Sequence, residues 1–553
     1  MTRNRVAALG AFAALLLGTH PASQQQAAPE RPPATKPHVV IETVGLDGWR
    51  TRLGVTNVAA MLDSEEGRKV WQPRLEPLLG MWQMMGGDEG AFAAASKRIF
   101  SYGGTIRIAV VINAAAAAHV AVMLEPDGRT DLKVIAADIK VLIGRAVPGE
   151  WAKKTIGGKE YSLRGNIDAV TAPVIEDGRL YLVAGATDTI VTGLGLVTHL
   201  LARPVTTTTP KPTSPALRIS LDMQPLLALD DHPDTIKMIE GLGLSQLREL
   251  SFAVRAAGPR VELDVSSSID GAPRGAVKAF ASDSQGVSGL SQLLPKKATA
   301  WKVGRFDCRA LFNGCINAIA AGLGDTREEI LAMANEECGT DVDGQLLANL
   351  SDEMLVVGSP FQNFDRFDEA TWLVGFRVKD ETKFRDSFQA MTKSMKWLLS
   401  GSETVDADGV ELRRYGNMFS YDVWMAVGNG VFVIAAGRDA EEEATALLQK
   451  AKGQTFTVLT ELAASHQDLL RYLPPGLNGL TQANLGSVLA IPIEWWIDAL
   501  NDLLPFMDVP QVNPHEAEEQ QQRFHKLLEA NSLRLVRSAT GFADGRWHWR
   551  LFW

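Results

Sequence analysis

The chain is poor in the residues and runs that most often announce a function. Only three cysteines, Cys308, Cys315 and Cys338, occur in 553 residues. Cys308 and Cys315 stand seven apart on an expected helix, about 10 Å along its axis, which is beyond disulfide reach. The spacing also lacks the Cys-x-x-Cys pairs and the fourth ligand of a zinc site, so unpaired, buried thiols are expected. No apolar run reaches the roughly 20 residues that a membrane-spanning helix needs. Basic charge is scarce: 55 Lys and Arg against 65 Asp and Glu give a formal charge of −10. An acidic surface without a basic stripe argues against nucleic acid, where binding rests on neutralising phosphates, and against anionic lipid.

Catalytic signatures are missing too. There is no Gly-x-Ser-x-Gly elbow and no Gly-x-x-x-x-Gly-Lys-Ser/Thr loop, and Gly193/Gly195, Gly241/Gly243 and Gly322/Gly324 each lack the third glycine of a dinucleotide loop. His515-Glu516-Ala517-Glu518-Glu519 begins like a zinc-protease helix. The second histidine of that motif must lie one turn on, where this chain has Glu519, and His525 falls on another face. Asp341-Val342-Asp343-Gly344 and Asp406-Ala407-Asp408-Gly409 resemble the opening of a calcium loop. The sixth position after Asp341 is Leu346 rather than glycine, and the second stretch sits in an expected hairpin, so both read as turn or capping aspartates. No catalytic, metal or cofactor-binding residue is therefore assigned.

What is present begins at the N-terminus. Arg3 and Arg5 precede an apolar run, Val6 to Leu17, and small residues at Ala22 and Ser23 offer a cleavage site. This is the build of a secretory signal over 1–23. No cysteine follows the run, so a lipoprotein anchor is not expected. Residues 24–37, rich in Gln, Ala and Pro, read as a disordered spacer. Removing the two arginines with the signal leaves a mature charge of −12. The expected location is periplasmic or extracellular.

The remainder repeats itself. Gly157-Gly158-Lys159-Glu160-Tyr161 returns as Asp408-Gly409-Val410-Glu411-Leu412, and Glu176 to Val183 returns as Gly428 to Ala435, both about 250 residues on and in the same order. Strand pairs are expected at Thr105 to Ile112 with Ala118 to Leu124, and at Glu353 to Gly358 with Thr371 to Val378. Each is followed by an amphipathic helix, carrying Leu132, Ile135, Ile139 and Ile143 in one and Phe384, Phe388, Met391 and Met395 in the other. Two Gly-bearing hairpins and a closing helix complete each long unit. In the second closing helix Asp439 and Glu442 have capping-box spacing.

A shorter unit follows each long one. In the first, Leu217 to Asp222 runs into a helix and then a meander, of which Gly275 to Phe280 is read as the last strand. In the second, Val488 to Ile493 leads into a helix, and a hairpin turns at Ala543-Asp544-Gly545. The organisation is long, short, long, short over 38–204, 216–296, 298–453 and 480–553, with Val205 to Pro215 as the linker candidate. The class expected is α+β, with internally duplicated antiparallel sheets interleaved with helices. The last residues, Trp547 to Trp553, alternate as a strand and are expected at a sheet edge.

Leu294-Pro295-Lys296-Lys297-Ala298, Gly304-Arg305-Phe306-Asp307 and Gly339-Thr340-Asp341-Val342-Asp343-Gly344-Gln345-Leu346-Leu347 carry a resemblance. The chain resembles an uncharacterised family of exported bacterial proteins, common in planctomycete-like genomes, with a repeated domain of unknown function. That resemblance implies architecture and export and no activity.

The helix from Glu494 to Met507 gives the site expectation. Trp496, Ile497, Leu500, Leu503, Leu504 and Met507 form one apolar stripe, expected either to pack on its own sheet or to line a groove. The expected protein is a non-enzymatic binding or structural protein of the envelope whose partner is an apolar ligand or an envelope protein. The alternative is an envelope hydrolase with a site between the repeats.

Overall fold

The computed structural model describes residues 34–69, 101–112, 118–165, 168–203, 214–229, 232–282, 286–295, 300–358, 371–395, 401–418, 421–456, 472–484 and 535–553, with isolated positions at 94–99, 298 and 519–530. The chain divides into two compact units. The first holds the described residues of Met1–Leu229, Leu250–Leu263 and Ile491–Ser532; the second holds those of Asp230–Glu249, Asp264–Ala490 and Leu533–Trp553. Both are antiparallel sheets with helices between hairpins, so the class is α+β.

In the first unit the strands are β1 (Val39–Val44), β2 (Thr105–Ile112), β3 (Ala118–Leu124), β4 (Ala152–Ile156), β5 (Lys159–Arg164), β6 (Asp168–Thr171), β7 (Val174–Glu176), β8 (Arg179–Ala186) and β9 (Leu217–Asp222), joined by part of the hairpin β10 (Leu247–Ala257) and β11 (Arg260–Ile269). Across the sheet the order is β10, β9, β1, β2, β3, β8, then β6 and β7 in line, then β5 and β4. Pro173, which has no N–H for a ladder, stands between β6 and β7. The helices are α1 (Leu46–Leu53), α2 (Asn57–Asp63), α3 (Leu132–Ala146), α4 (Ile190–Leu201) and α5 (Met223–Leu227). One sheet face, with Ala109, Ala121, Met123 and Val183, is sealed by Ile190, Leu194 and Val197 of α4. Gly193 lets α4 approach closely: a Cβ there would stand 2.2 Å from a methyl of Val183. The opposite face meets α3 through Leu132 and Ile135, which pack with Leu124 and Leu180.

In the second unit β12 (Ala300–Arg305), β13 (Leu350–Gly358), β14 (Trp372–Val378), β15 (Gly401–Asp406), β16 (Glu411–Met418), β17 (Tyr421–Gly428), β18 (Val431–Ala436), β19 (Leu477–Asn484), β20 (Leu535–Ala543) and β21 (Arg546–Phe552) form the sheet. The order is β21, β20, β19, β12, β13, β14, β18, β17, β16, β15. Its helices are α6 (Pro233–Gly241), α7 (Gly275–Phe280), α8 (Cys308–Leu323), α9 (Arg327–Cys338), α10 (Glu381–Ser394) and α11 (Ala440–Ala451). The face with Trp301, Val303, Leu355 and Val433 packs against Ala444, Leu447 and Leu448 of α11. The opposite face meets α10, where Phe384 and Phe388 pack on Phe432 with tilted rings at centroid distances of 5.1 Å each.

The hairpin turns fall where their dipeptides place them. Asp177-Gly178, Asp408-Gly409, Asn429-Gly430 and Asp544-Gly545 all have positive φ at both residues, as do Gly157 and Gly158. That is the backbone of a turn whose twist matches its strands. Three expectations are corrected. Gly275–Phe280 is helix α7, not a strand: Ala276 and Ala279 favour helix, and its glycine is wedged against Gly314 of α8, where a Cβ on Gly314 would lie 2.7 Å from the Ala276 nitrogen. Asp439 makes no side-chain cap on α11; its backbone N–H instead donates to Thr371 Oγ1 at 3.2 Å. The capping box lies at Thr326 and Glu329 on α9. Finally, β21 is no edge: β20 flanks it on one side and the base of β11 pairs on the other, with Ile269 N–H donating to Gly545 O at 2.9 Å.

Candidate functional site

The apolar stripe expected at Trp496, Ile497, Leu500, Leu503, Leu504 and Met507 lies outside the described residues, as do the signal segment, the strand expected at Val488 to Ile493, and His515. The described residues place a different apolar surface together. Cross-strand pairing sets Val39 beside Leu221, Ile41 beside Ile219 and Ile108, and Thr43 beside Leu217, all on one face of the first sheet. Each is half-buried, and β9, although it has β1 and β10 on its two sides, contains no fully buried residue. This is the face that α3 covers, but among the described residues the α3 clusters reach only as far as Ile106 and Val122. The aliphatic surface therefore runs on past the helix across β2, β1 and β9. Trp49 of α1 marks one end, its indole N–H donating to Thr43 Oγ1 at 3.0 Å.

The reverse face of the same strands carries charge. Glu42 on β1 accepts from Arg107 at 3.1 Å and from Arg203 at 3.0 Å. Arg107 also pairs with buried Glu125, which stands 3.8 Å from Arg179. Arg179 then donates to the carbonyls of Leu201 and Arg203 at 2.9 and 2.7 Å, capping the end of α4. The second sheet has a shorter version. Glu353, 4% exposed, accepts from Arg377 at 2.8 Å, from Ser288 Oγ at 2.9 Å and from Gly289 N–H at 3.0 Å, with Arg305 at 3.6 Å. Arg377 reaches the carbonyl of Phe456, beyond α11, at 3.2 Å. Every charge here is spent on another charge or a backbone group, so these ladders hold strands and helix ends together.

His119 is the buried titratable group nearest to a catalytic arrangement. Its Nε2 lies 3.2 Å from Thr189 Oγ1 at the start of α4, and Asp168 and Asp188 are close enough to act on its charge. Burial, the dominant influence, nonetheless holds its pKa below the ordinary histidine value. A triad needs an acid on the far ring nitrogen. Here Nδ1 faces the backbone of Gly185, where a Cβ would come within 2.4 Å, and among the described residues it has no hydrogen-bond partner.

Among the described residues no three His, Cys, Asp or Glu side chains are arranged to hold a metal ion. Asp341 accepts from Gly344 N–H at 2.8 Å and Asp406 from Gly409 N–H at 2.7 Å, the capping and turn roles read from the sequence. Asp343 joins Arg309 at 2.7 Å and Asn313 at 2.8 Å, and these bonds, Arg309 foremost, hold its carboxyl below the usual range. All three cysteines are free; burial pushes the Cys308 thiol up to about 11. No described helix is long and apolar enough to cross a membrane.

Sequence reasoning missed the β1–β9 surface because β1 was not read as a strand. The signal was there: Val39, Ile41 and Thr43 alternate, as do Leu217, Ile219 and Leu221.

No protein-family model matches the chain, and no curated protein matches its sequence. Among solved structures, crystal form III of TP0453 is similar at a TM-score of 0.22 and 11% identity, over 45% of this chain and 82% of that one. Crystal form I of the same protein gives 0.21 and 10%, over 45% and 81%. Likeness at this level carries no statement about function.

Proposed function

We propose that this is an exported, non-enzymatic binding protein of the bacterial envelope, of the kind its sequence resembles, and that its first sheet takes an apolar ligand on the face formed by β1, β2 and β9. The observation that carries this reading is the half-buried aliphatic surface Val39, Ile41, Ile108, Leu217, Ile219 and Leu221, continuing beyond the reach of α3. Completing the burial of such side chains gains on the order of 1 kcal/mol each. Three strands about 4.8 Å apart give a surface roughly 10 Å across, the scale of one or two acyl chains. Export rests on the basic, apolar and small-residue segments at the N-terminus.

The same reading takes the two sheets as products of a duplication. Their strand orders support it: β9, β1, β2, β3, β8 in one and β19, β12, β13, β14, β18 in the other. Gly158 and Gly409 also both turn hairpins.

Native mass spectrometry of protein gently extracted from its own host tests the function. The expected result is a processed chain, lacking Met1 and the signal, that carries an apolar adduct lost in the double variant Ile41→Asp, Ile219→Asp. An adduct-free wild-type chain, or an adduct retained by the double variant, overturns the site. Recovery of the unprocessed form in the cytoplasm overturns export.

A further inference from the structure

Three cysteines and 15 methionines are spread over 553 residues, and the second unit brings one of each into contact. Cys338 is the last residue of α9 and Met395 caps α10, and Cys338 Sγ lies 3.9 Å from Met395 Sδ. Met391 stands one turn earlier on the same face of α10, its carbonyl accepting from the Met395 N–H at 2.9 Å. Both methionine side chains pack at the margin of the core formed by Phe384, Phe388 and Phe432. All three sulfur residues are half-buried, so solvent species can reach them.

The ends of the two helices are held together at this point. Gly339 closes α9 with a φ of +64° and lets α10 come close, since a Cβ there would stand 2.9 Å from the Ser394 Cβ. Ser394 Oγ donates to the Glu337 carbonyl at 2.8 Å, tying the last turn of α9 to the last residue of α10. Two C-terminal helix ends therefore converge where the sulfurs meet, and each brings a partial negative charge that favours a cation. Burial first, and the Glu337 carboxylate second, hold the Cys338 thiol above the ordinary cysteine value. Such a place disfavours a bare thiolate and suits a thiolate that shares its charge with a soft cation.

We propose that Cys338, Met395 and Met391 form a binding site for copper(I). Thioether sulfur selects the ion, because it is a ligand for soft copper(I) and a poor one for zinc, magnesium or calcium. Metal–sulfur bonds of about 2.3 Å place the sulfurs of a three-coordinate site about 4 Å apart, which is the separation Cys338 and Met395 already have. Met391, unbranched and adaptable, brings the third sulfur from the same helix face. On binding, the Cys338 thiol releases its proton to solvent and its sulfur bonds to the ion, while each thioether donates one electron pair. No electron is transferred, so one positive charge enters as one leaves.

The test titrates the whole mature chain, reduced and free of oxygen, with copper(I) held by bicinchoninate as a coloured competitor. One tightly bound copper(I) is expected, held at least a hundredfold more weakly by Cys338→Ser and at least tenfold more weakly by Met395→Leu. Cys315→Ser, which removes a thiol of α8, is expected to bind as the wild type does. Met395→Leu keeps the volume of the side chain, so weaker binding with an unchanged unfolding midpoint reports the sulfur rather than the fold. Wild-type affinity is expected to rise about tenfold per pH unit below the thiol pKa, because one proton leaves, and to lose that dependence in Cys338→Ser. X-ray absorption of the loaded chain is expected to show sulfur neighbours alone. Failure of the wild type to take copper(I) from the competitor, undiminished binding in Cys338→Ser or Met395→Leu, or zinc(II) held as tightly as copper(I) overturns the proposal.

Discussion

Set side by side, β1, β2 and β9 of the first sheet and β12, β13 and β19 of the second occupy the same places in the same strand order, yet on the face that α3 or α10 partly covers their residues differ in kind. The first has Val39, Ile41, Leu217, Ile219 and Leu221; the second has Ala300, Lys302, Gly304, Gly479 and Thr481. The opposite faces differ little: each is sealed by a closing helix, and each ends in an arginine donating to carbonyls at or beyond that helix's end. Where a face must hold the unit together, both sheets solve the problem alike. Where a face is only partly covered by α3 or α10, the residues of the two sheets differ.

The largest effect expected is on the shared, sealed side. Glu353→Gln takes from Arg377 its buried counter-charge, leaves Arg305 with Asp352 alone at 3.0 Å, and is expected to cost the second unit about 3–5 kcal/mol. Hydrogen exchange of β12–β14 reads it, and a loss under 1 kcal/mol would mean the ladder is not structural. Gly193→Val is expected to cost the first unit about 1–3 kcal/mol by forcing α4 off Val183. Denaturant unfolding with unchanged midpoint would show that the close approach of α4 to the sheet is dispensable.

A third difference concerns acid. At the start of the closing helix the first sheet places His119 against Thr189, while the second places Thr371 against Asp439. Burial depresses the folded-state pKa of His119, so the unfolded chain binds the proton more readily. Its contribution is complete above the unfolded value, near 6.5, and is lost as pH falls from there through the lower folded value. Exchange protection of β3 and α4 should therefore drop below about pH 6.5 while that of β14 and α11 does not. Equal loss in both, or the same pH slope in His119→Asn, would assign the effect elsewhere. The smallest effect is expected at Lys302→Leu, which removes an uncompensated charge from the second sheet and should raise its stability by about 0.5–1 kcal/mol. A destabilised variant would mean the amine is already paired.

Local chemistry made the turns and main helices legible. Asp-Gly and Asn-Gly demand positive φ, and the stripe Leu132, Ile135, Ile139 admits only one face of α3. What escaped depends on partners distant in sequence. β1 is six residues long and becomes a strand through pairing with β2 and β9, about 65 and 180 residues on by its register. Gly275–Phe280 has strand-like length, but Gly314 across the interface decides its form. Asp439 and Glu442 have the spacing of a capping box, yet Thr371, placed by the sheet, takes the backbone N–H. The proposed ligand surface was illegible for the same reason: it draws on three strands that meet only after folding.

The Asn429-Gly430 turn has a further consequence, for how long the molecule lasts. An asparagine followed by glycine is the sequence most prone to closing into a succinimide, a step in which the glycine nitrogen attacks the side-chain carbonyl carbon. In this protein both reacting groups are engaged elsewhere. The Asn429 amide donates to Leu448 O at 3.0 Å, and the Gly430 N–H donates to Glu381 Oε2 at 2.9 Å. The folded second unit thus guards one of its Asn-Gly pairs, and the slow chemical ageing of this site becomes a clock that runs only while the turn is parted from α10 and α11.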